Sequence, residues 1–172
     1  MTDLSTTIGR DLAGYYQEIG RRVRGLAEPL SREQLWRRPY PYGNSVGHLV
    51  LHLTGNLSYY IGAQIAETGY VRDRPKEFAD PEPRPKEEVL AAFDGAIAMV
   101  VKTLERQSPS DWMAPCTGFG EEPCDRFTMV LRCAAHAQHH LGQMIYLCKQ
   151  LALPLPVDDA IEPVHQPGDG GA

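Results

Sequence analysis

The segment Arg132-Cys133-Ala134-Ala135-His136-Ala137-Gln138-His139-His140-Leu141-Gly142-Gln143 holds three of the chain's six histidines within five residues. Around it Phe127, Val130, Ala134, Ala137, Leu141, Met144, Cys148 and Leu151 recur at three- and four-residue steps. That periodicity predicts one long amphipathic helix over about 126–151. Residues four apart stack on one helix face, so the His136 and His140 imidazoles can reach a single point. This is metal-ligand spacing. His139 is turned about 100° from His140 on the helical wheel and reads as a surface or interface residue, although His136 with His139 is a permitted alternative pair. Cys133, one turn before His136, is a candidate fourth ligand; a small buried hydrophobe is the plainer reading.

Three further long helices are predicted outward from this one. Ile8, Leu12, Tyr15, Tyr16, Ile19, Val23 and Leu26 mark the first, over about 5–26, which Pro29 ends. Ser31-Arg32-Glu33-Gln34 has the form of a capping box and opens a short helix bearing Leu35 and Trp36. Asn44 or Ser45 caps the second long helix, about 46–67, with Gly69 as its expected C-cap. The third spans about 86–107, with Pro85 in the first turn beside Glu87 and Glu88 and a break at Ser108-Pro109. The stretches 72–85 and 111–125 read as long connections, and a connection of that length in a compact domain often serves a purpose. No strand pattern of any strength is visible. The expected fold is all-α: a four-helix bundle over 1–152, with an irregular Pro- and Gly-rich tail over 153–172 that leaves His165 exposed.

The chain has 172 residues and a net charge of −5, which argues against a nucleic-acid partner. The local arginines Arg21, Arg22, Arg24, Arg32, Arg37 and Arg38 read as a solvated face. No apolar run approaches the length of a bilayer span and no signal-peptide pattern is present, so a soluble, cytoplasmic protein without a membrane partner is expected. Cys116, Cys124, Cys133 and Cys148 form no CxxC pair and are expected to be free thiols. Ala137 stands where a zincin has its glutamate base. Glu-x-x-His repeats of di-iron bundles, phosphate-binding glycine loops and serine nucleophile elbows are absent as well.

The second long helix carries its own polar line, with His48, His52, Asn56 and Tyr59 or Tyr60 flanking the apolar stripe. Ligand sites in bundles are built from facing helices in this manner. A histidine from this line, His48 or His52, meeting His136 and His140 would make a three-histidine set. Three protein ligands with an open position is the catalytic form of a zinc-type site, whereas structural sites close with four.

The order Ser45-Val46-Gly47-His48-Leu49-Val50-Leu51-His52-Leu53-Thr54-Gly55-Asn56, followed by His136-x-x-x-His140-Leu141-Gly142-Gln143, resembles the DinB-like superfamily. That group includes the YfiT-type and mycothiol-dependent maleylpyruvate isomerase relatives, and the resemblance runs from Thr7 to about Leu151. It implies a four-helix bundle of unusual connectivity, commonly a homodimer, binding a divalent metal, often zinc or nickel. It also implies His52, His136 and His140 as the metal ligands, with His48 the competitor for the first position. Characterised members act on low-molecular-weight thiols, so a thiol-dependent transferase-like or a hydrolase-like metalloenzyme is one expectation for this chain. Asn56, Gln143 and Tyr60 (or Tyr59) are then candidates to contact ligands or substrate. The other expectation is a non-catalytic, stress-related binding module in which the metal or the histidines are structural.

Overall fold

The computed structural model describes residues 3–79 and 84–152. Four long helices make the body: α1 (Leu4–Ala27), α3 (Val46–Leu57), α4 (Lys86–Leu104) and α6 (Arg126–Ala152). Two short helices, α2 (Arg32–Trp36) and α5 (Pro109–Trp112), sit in the connections. The fold is therefore all-α with four long helices, as the periodicity predicts. The tail over 153–172, with His165, lies outside the described residues, as does 80–83 of the third connection. No helix among the described residues is long and apolar enough to cross a membrane.

Side-chain caps explain where several of these helices start. Ser31 and Gln34 complete the capping box of α2, and Ser45 with His48 completes that of α3. Ser108 and Asp111 do the same for α5, so Ser108-Pro109, expected as a break, also opens a helix. The wholly buried faces of the long helices meet in one core that includes Tyr16, Ile19, Leu49, Leu53, Phe93 and Met144. The buried Tyr16 hydroxyl donates to the Val130 carbonyl at 2.7 Å, which ties α1 to α6 without an unpaired polar group inside.

Helices α1 and α3 each pack against both α4 and α6, while α1 and α3 touch only marginally. Around the bundle the order is thus α1, α4, α3, α6. Helices α1 and α3, and α4 and α6, lie across the diagonal, so the α1–α3 and α4–α6 connections cross the bundle, whereas α3 and α4 are neighbours. α3 and α6 are left side by side, and their shared seam carries the histidines.

Two departures from the sequence-based expectation bear on that seam. The second long helix does not continue as an α-helix to Glu67. It widens at Ser58–Ala63 into a π-helix and ends there, with the Ala66 N–H donating to the Ile61 carbonyl. Glu67 takes the left-handed conformation (φ 54°) in the turn that follows, so Gly69 (φ 74°) serves that later turn and not the helix end. The connection before α6 contains an antiparallel hairpin, β1 (Pro115–Thr117) paired with β2 (Pro123–Asp125). Strands of three residues are too short for an alternating pattern to show in sequence.

α1 and α4 approach most closely at Gly9, where an added Cβ would stand 2.6 Å from the Leu104 carbonyl oxygen, a backbone atom that cannot swing away. Gly14, on the same helix, has nothing within 4 Å. Gly9→Ala is expected to destabilise the bundle by about 1–3 kcal/mol through overpacking. Gly14→Ala should stabilise it by roughly 0.5–1 kcal/mol through helix propensity. Urea denaturation midpoints of the two variants should therefore move in opposite directions.

Candidate metal centre

His52 projects from α3 and His136 and His140 from α6, and one ring nitrogen of each lies within 4.8 Å of the others. The Nε2 atoms of His52 and His136 are 2.9 Å apart. The His52 ring is buried, and the two on α6 are half-buried. The three histidines are positioned to hold a metal ion. No fourth His, Cys, Asp or Glu among the described residues joins them.

The outer nitrogens of two rings are already engaged. His52 Nδ1 lies 2.7 Å from Glu77 Oε2, and a carboxylate can only accept there, so His52 donates its Nδ1–H. His140 Nδ1 lies 2.8 Å from the Gln143 side-chain oxygen, and Gln143 Nε2 in turn donates to His139 Nε2 at 3.0 Å. Both rings are thereby set in the tautomer that turns an Nε2 lone pair inward. His140 Nε2 is buried and has no hydrogen-bond partner. A buried acceptor left this way costs free energy, and a cation at the centre would remove that cost.

The distances fit such a cation. Three imidazoles ligating one ion at about 2.0–2.1 Å in tetrahedral geometry have donor atoms about 3.3 Å apart. The His52–His136 spacing of 2.9 Å is just below that, and all three donors lie within 4.8 Å of one another. With His52 Nδ1 protonated, the short His52–His136 contact requires His136 to donate from Nε2. A cation would take the place of that proton.

The environment keeps the two α6 rings neutral. Burial, together with the nearby His140, His52 and Arg72, depresses His136 to about 4. Burial also lowers His140, with Gln143 opposing and His52 and His139 adding to the effect. Burial by itself would raise Glu77, but its bonds to His52 and Arg72 outweigh that and hold it below the usual carboxylate range.

Glu77 and Arg72 come from the long connection after α3, which spacing alone did not assign to the site. Arg72 Nε and Nη2 donate to the two Glu77 oxygens at 2.7 and 2.8 Å. Phe78 stacks on His52 with ring centroids 4.8 Å apart, and Arg38 Nη2 donates to the Phe78 carbonyl. The signal for this part was the length and charge of the connection together with Gly55. A Cβ at Gly55 would lie 2.1 Å from Glu77 Oε1, so only glycine lets the carboxylate reach His52.

The other named residues fall as follows. His48 is used by the α3 cap, its Nδ1 2.6 Å from Ser45 Oγ and its ring packed edge-on against Trp36, and it does not join the cluster. His139 is exposed; it bonds to Gln143 and its ring stands edge-on to His140 at 5.2 Å. Cys133 is wholly buried in the core, where burial pushes its thiol well up, and it is not among the clustered donors. Tyr60, on the π-helix, packs against Phe119 of the β1–β2 turn at 4.3 Å, with Arg72 5.8 Å above its ring. Asn56 is buried one turn beyond His52, its side-chain oxygen without a partner. Tyr59 contacts Tyr60 alone among the aromatic rings.

The fold has known relatives. The family model of the DinB superfamily matches residues 15–144. The crystal structure of a DinB-like protein from Bacillus cereus ATCC 10987 superimposes with a TM-score of 0.64 at 18% identity, covering 83% of this chain and 94% of that one. At that identity the likeness speaks for the fold. No protein of curated function matches the chain in sequence.

Linkage gives the site a pH signature in the metal-free protein. The unfolded chain binds a proton at His136 near 6.5, whereas the fold holds that pKa at about 4. Between those values the unfolded state binds more protons, so this contribution is present above 6.5 and lost as pH falls toward 4. Denaturant midpoints of chelator-treated protein should therefore drop between pH 7 and 4.5. The drop should be smaller in His136→Asn.

Proposed function

The chain belongs to the DinB superfamily, and from that premise we propose that it binds a divalent metal ion, zinc or nickel, through His52, His136 and His140. We further propose that it uses the ion in a reaction of a low-molecular-weight thiol, as a transferase-like enzyme. The observation that carries the proposal is the buried, unpartnered Nε2 of His140 beside two further inward-turned imidazoles. A divalent ion in such a site supplies Lewis acidity and lowers the pKa of a bound thiol or water.

The chain's own residues do the rest. Glu77 and Gln143 hold the outer N–H groups of His52 and His140, which orients the rings and raises their basicity. Three neutral imidazoles leave the ion's charge uncompensated, and Glu77 is already balanced by Arg72. An anionic thiolate is the partner that such a site favours over a neutral molecule. Tyr60, whose phenol burial pushes up against the pull of Arg72, stays protonated and offers an O–H donor at the wall of the site. Asn56 offers a side-chain acceptor from the same helix. Phe78 and Phe119 limit water there.

Metal analysis of the purified protein tests the reading. Wild type should carry close to one ion per chain, and His52→Ala and His136→Ala should each lose it. Glu77→Gln should retain the ligands but weaken binding by roughly 10- to 100-fold, as loss of a residue that orients a ligating histidine does. Unchanged metal content in both histidine variants would refute the site. Metal-dependent stability without any metal-dependent binding of glutathione, bacillithiol or mycothiol would favour the non-catalytic module instead.

A further inference from the structure

Cys116 and Cys124 stand directly opposite each other in the β1–β2 ladder, with sulfur atoms 3.6 Å apart. Directly opposed residues of antiparallel strands have Cα atoms about 4.5–5.5 Å apart, inside the roughly 4.4–6.8 Å that a disulfide spans. Bond formation therefore needs side-chain rotation and little backbone movement. Both thiols are half-buried and free. The turn they bracket is packed onto them: a Cβ at Gly118 would lie 2.7 Å from the Glu122 carbonyl oxygen and 3.3 Å from Cys124 Sγ. That turn carries Phe119, which contacts Tyr60, lies under Arg132 and stands 5.8 Å from His136. The hairpin is thus the element that covers the α6 side of the three-histidine cluster.

We propose that Cys116 and Cys124 form a reversible dithiol–disulfide couple that sets how firmly the Phe119 turn closes over the three-histidine site. The oxidant is a low-molecular-weight disulfide. Cys124 as thiolate attacks one of its sulfurs, forming a mixed disulfide and releasing one small thiolate. Cys116 then attacks the Cys124 sulfur and expels the second. Two protein thiols are oxidised, one small disulfide is reduced to two thiols, and the two protein protons pass to the leaving thiolates. Burial, with Cys124 beside it, pushes the Cys116 thiol up to about 12. Capping Cys124 as a mixed disulfide removes the neighbouring charge that contributes to that rise. Access control of the metal ion rests on the proposed function; formation of the couple does not.

The test treats the full-length, metal-loaded protein with excess oxidised glutathione, followed by alkylation. Wild type should become two hydrogens lighter, lose two alkylatable thiols and yield a peptide joining Cys116 to Cys124. C116S should instead keep a glutathione adduct on Cys124. Amide hydrogen exchange of residues 116–124 should slow in the oxidised form, and a chelator should extract the metal several-fold more slowly. A persistent mixed adduct in wild type, or no joined peptide, overturns the couple. Equal exchange in the oxidised and reduced forms overturns the closure. Protein that holds no metal in either form fails the metal reading alone, and mass and hydrogen exchange then still decide the couple.

Discussion

A carboxylate buried to 6% exposure between a guanidinium and an imidazole is the interaction on which the site depends. Glu77 can be ionised there because Arg72, itself only 10% exposed, binds both its oxygens, and because His52 donates to one of them. Without Arg72 the Glu77 charge would stand in a low-dielectric setting without compensation, which costs several kcal/mol. The arrangement reaches further than its own atoms. It fixes the His52 tautomer, pins residues 72–79 against α3 and requires glycine at position 55. Phe78, carried by the same segment, then covers the His52 ring. A connection that is polar in sequence becomes a wall of the site through one ion pair.

Bundle order explains why stability and the site occupy different seams. α1 and α4 approach closely enough at Gly9 to exclude a methyl group, and Ile97 of α4 packs within 3.2 Å of the Cβ position at Gly20. These contacts are tight, one against a backbone carbonyl and one against an aliphatic side chain. The α3–α6 seam instead admits three imidazoles, a carboxylate, an amide and a buried asparagine. Placing α1 opposite α3 and α4 opposite α6 is what brings α3 and α6 together. The long connection after α3 joins neighbouring helices, and the one before α6 crosses the bundle. Both then contribute to the site: the first through Arg72, Glu77 and Phe78, the second through Phe119. The π-helix at Ser58–Ala63 contributes as well, since Tyr60 lies on it and meets Phe119.

The helices and the histidine pair were legible because both follow the 3.6-residue period. His136 and His140 share a face by spacing alone. The choice of His52 over His48 was not decided by period, since the two are one turn apart and both buried. Capping decides it: His48 is the third residue of α3, where its ring and N–H both serve Ser45, and His52 lies beyond the reach of the cap. Glu77 was invisible to pattern because its bond to His52 spans 25 residues of sequence and forms only when the connection folds back on α3. The hairpin was invisible because three-residue strands carry no period. The π-helix leaves no mark in the apolar stripe, which continues through Ile61 and Ile65 regardless.

Donor count separates a reactive centre from a staple more sharply than donor type does. Closed structural sites complete four protein ligands, mostly with cysteine. Here the sulfur nearest in sequence to the pair on α6, Cys133, is wholly buried in the core and is not among the clustered donors. The carboxylate near the cluster stands behind His52, bonded to its outer nitrogen, and so tunes a ligand without adding one. Two potential fourth donors are thus held out of the set by packing and by hydrogen bonding. What borders the α6 histidines instead is Phe119, which offers no lone pair. Three ring nitrogens with no fourth protein donor among the described residues is the donor count of an open site and not of a closed one.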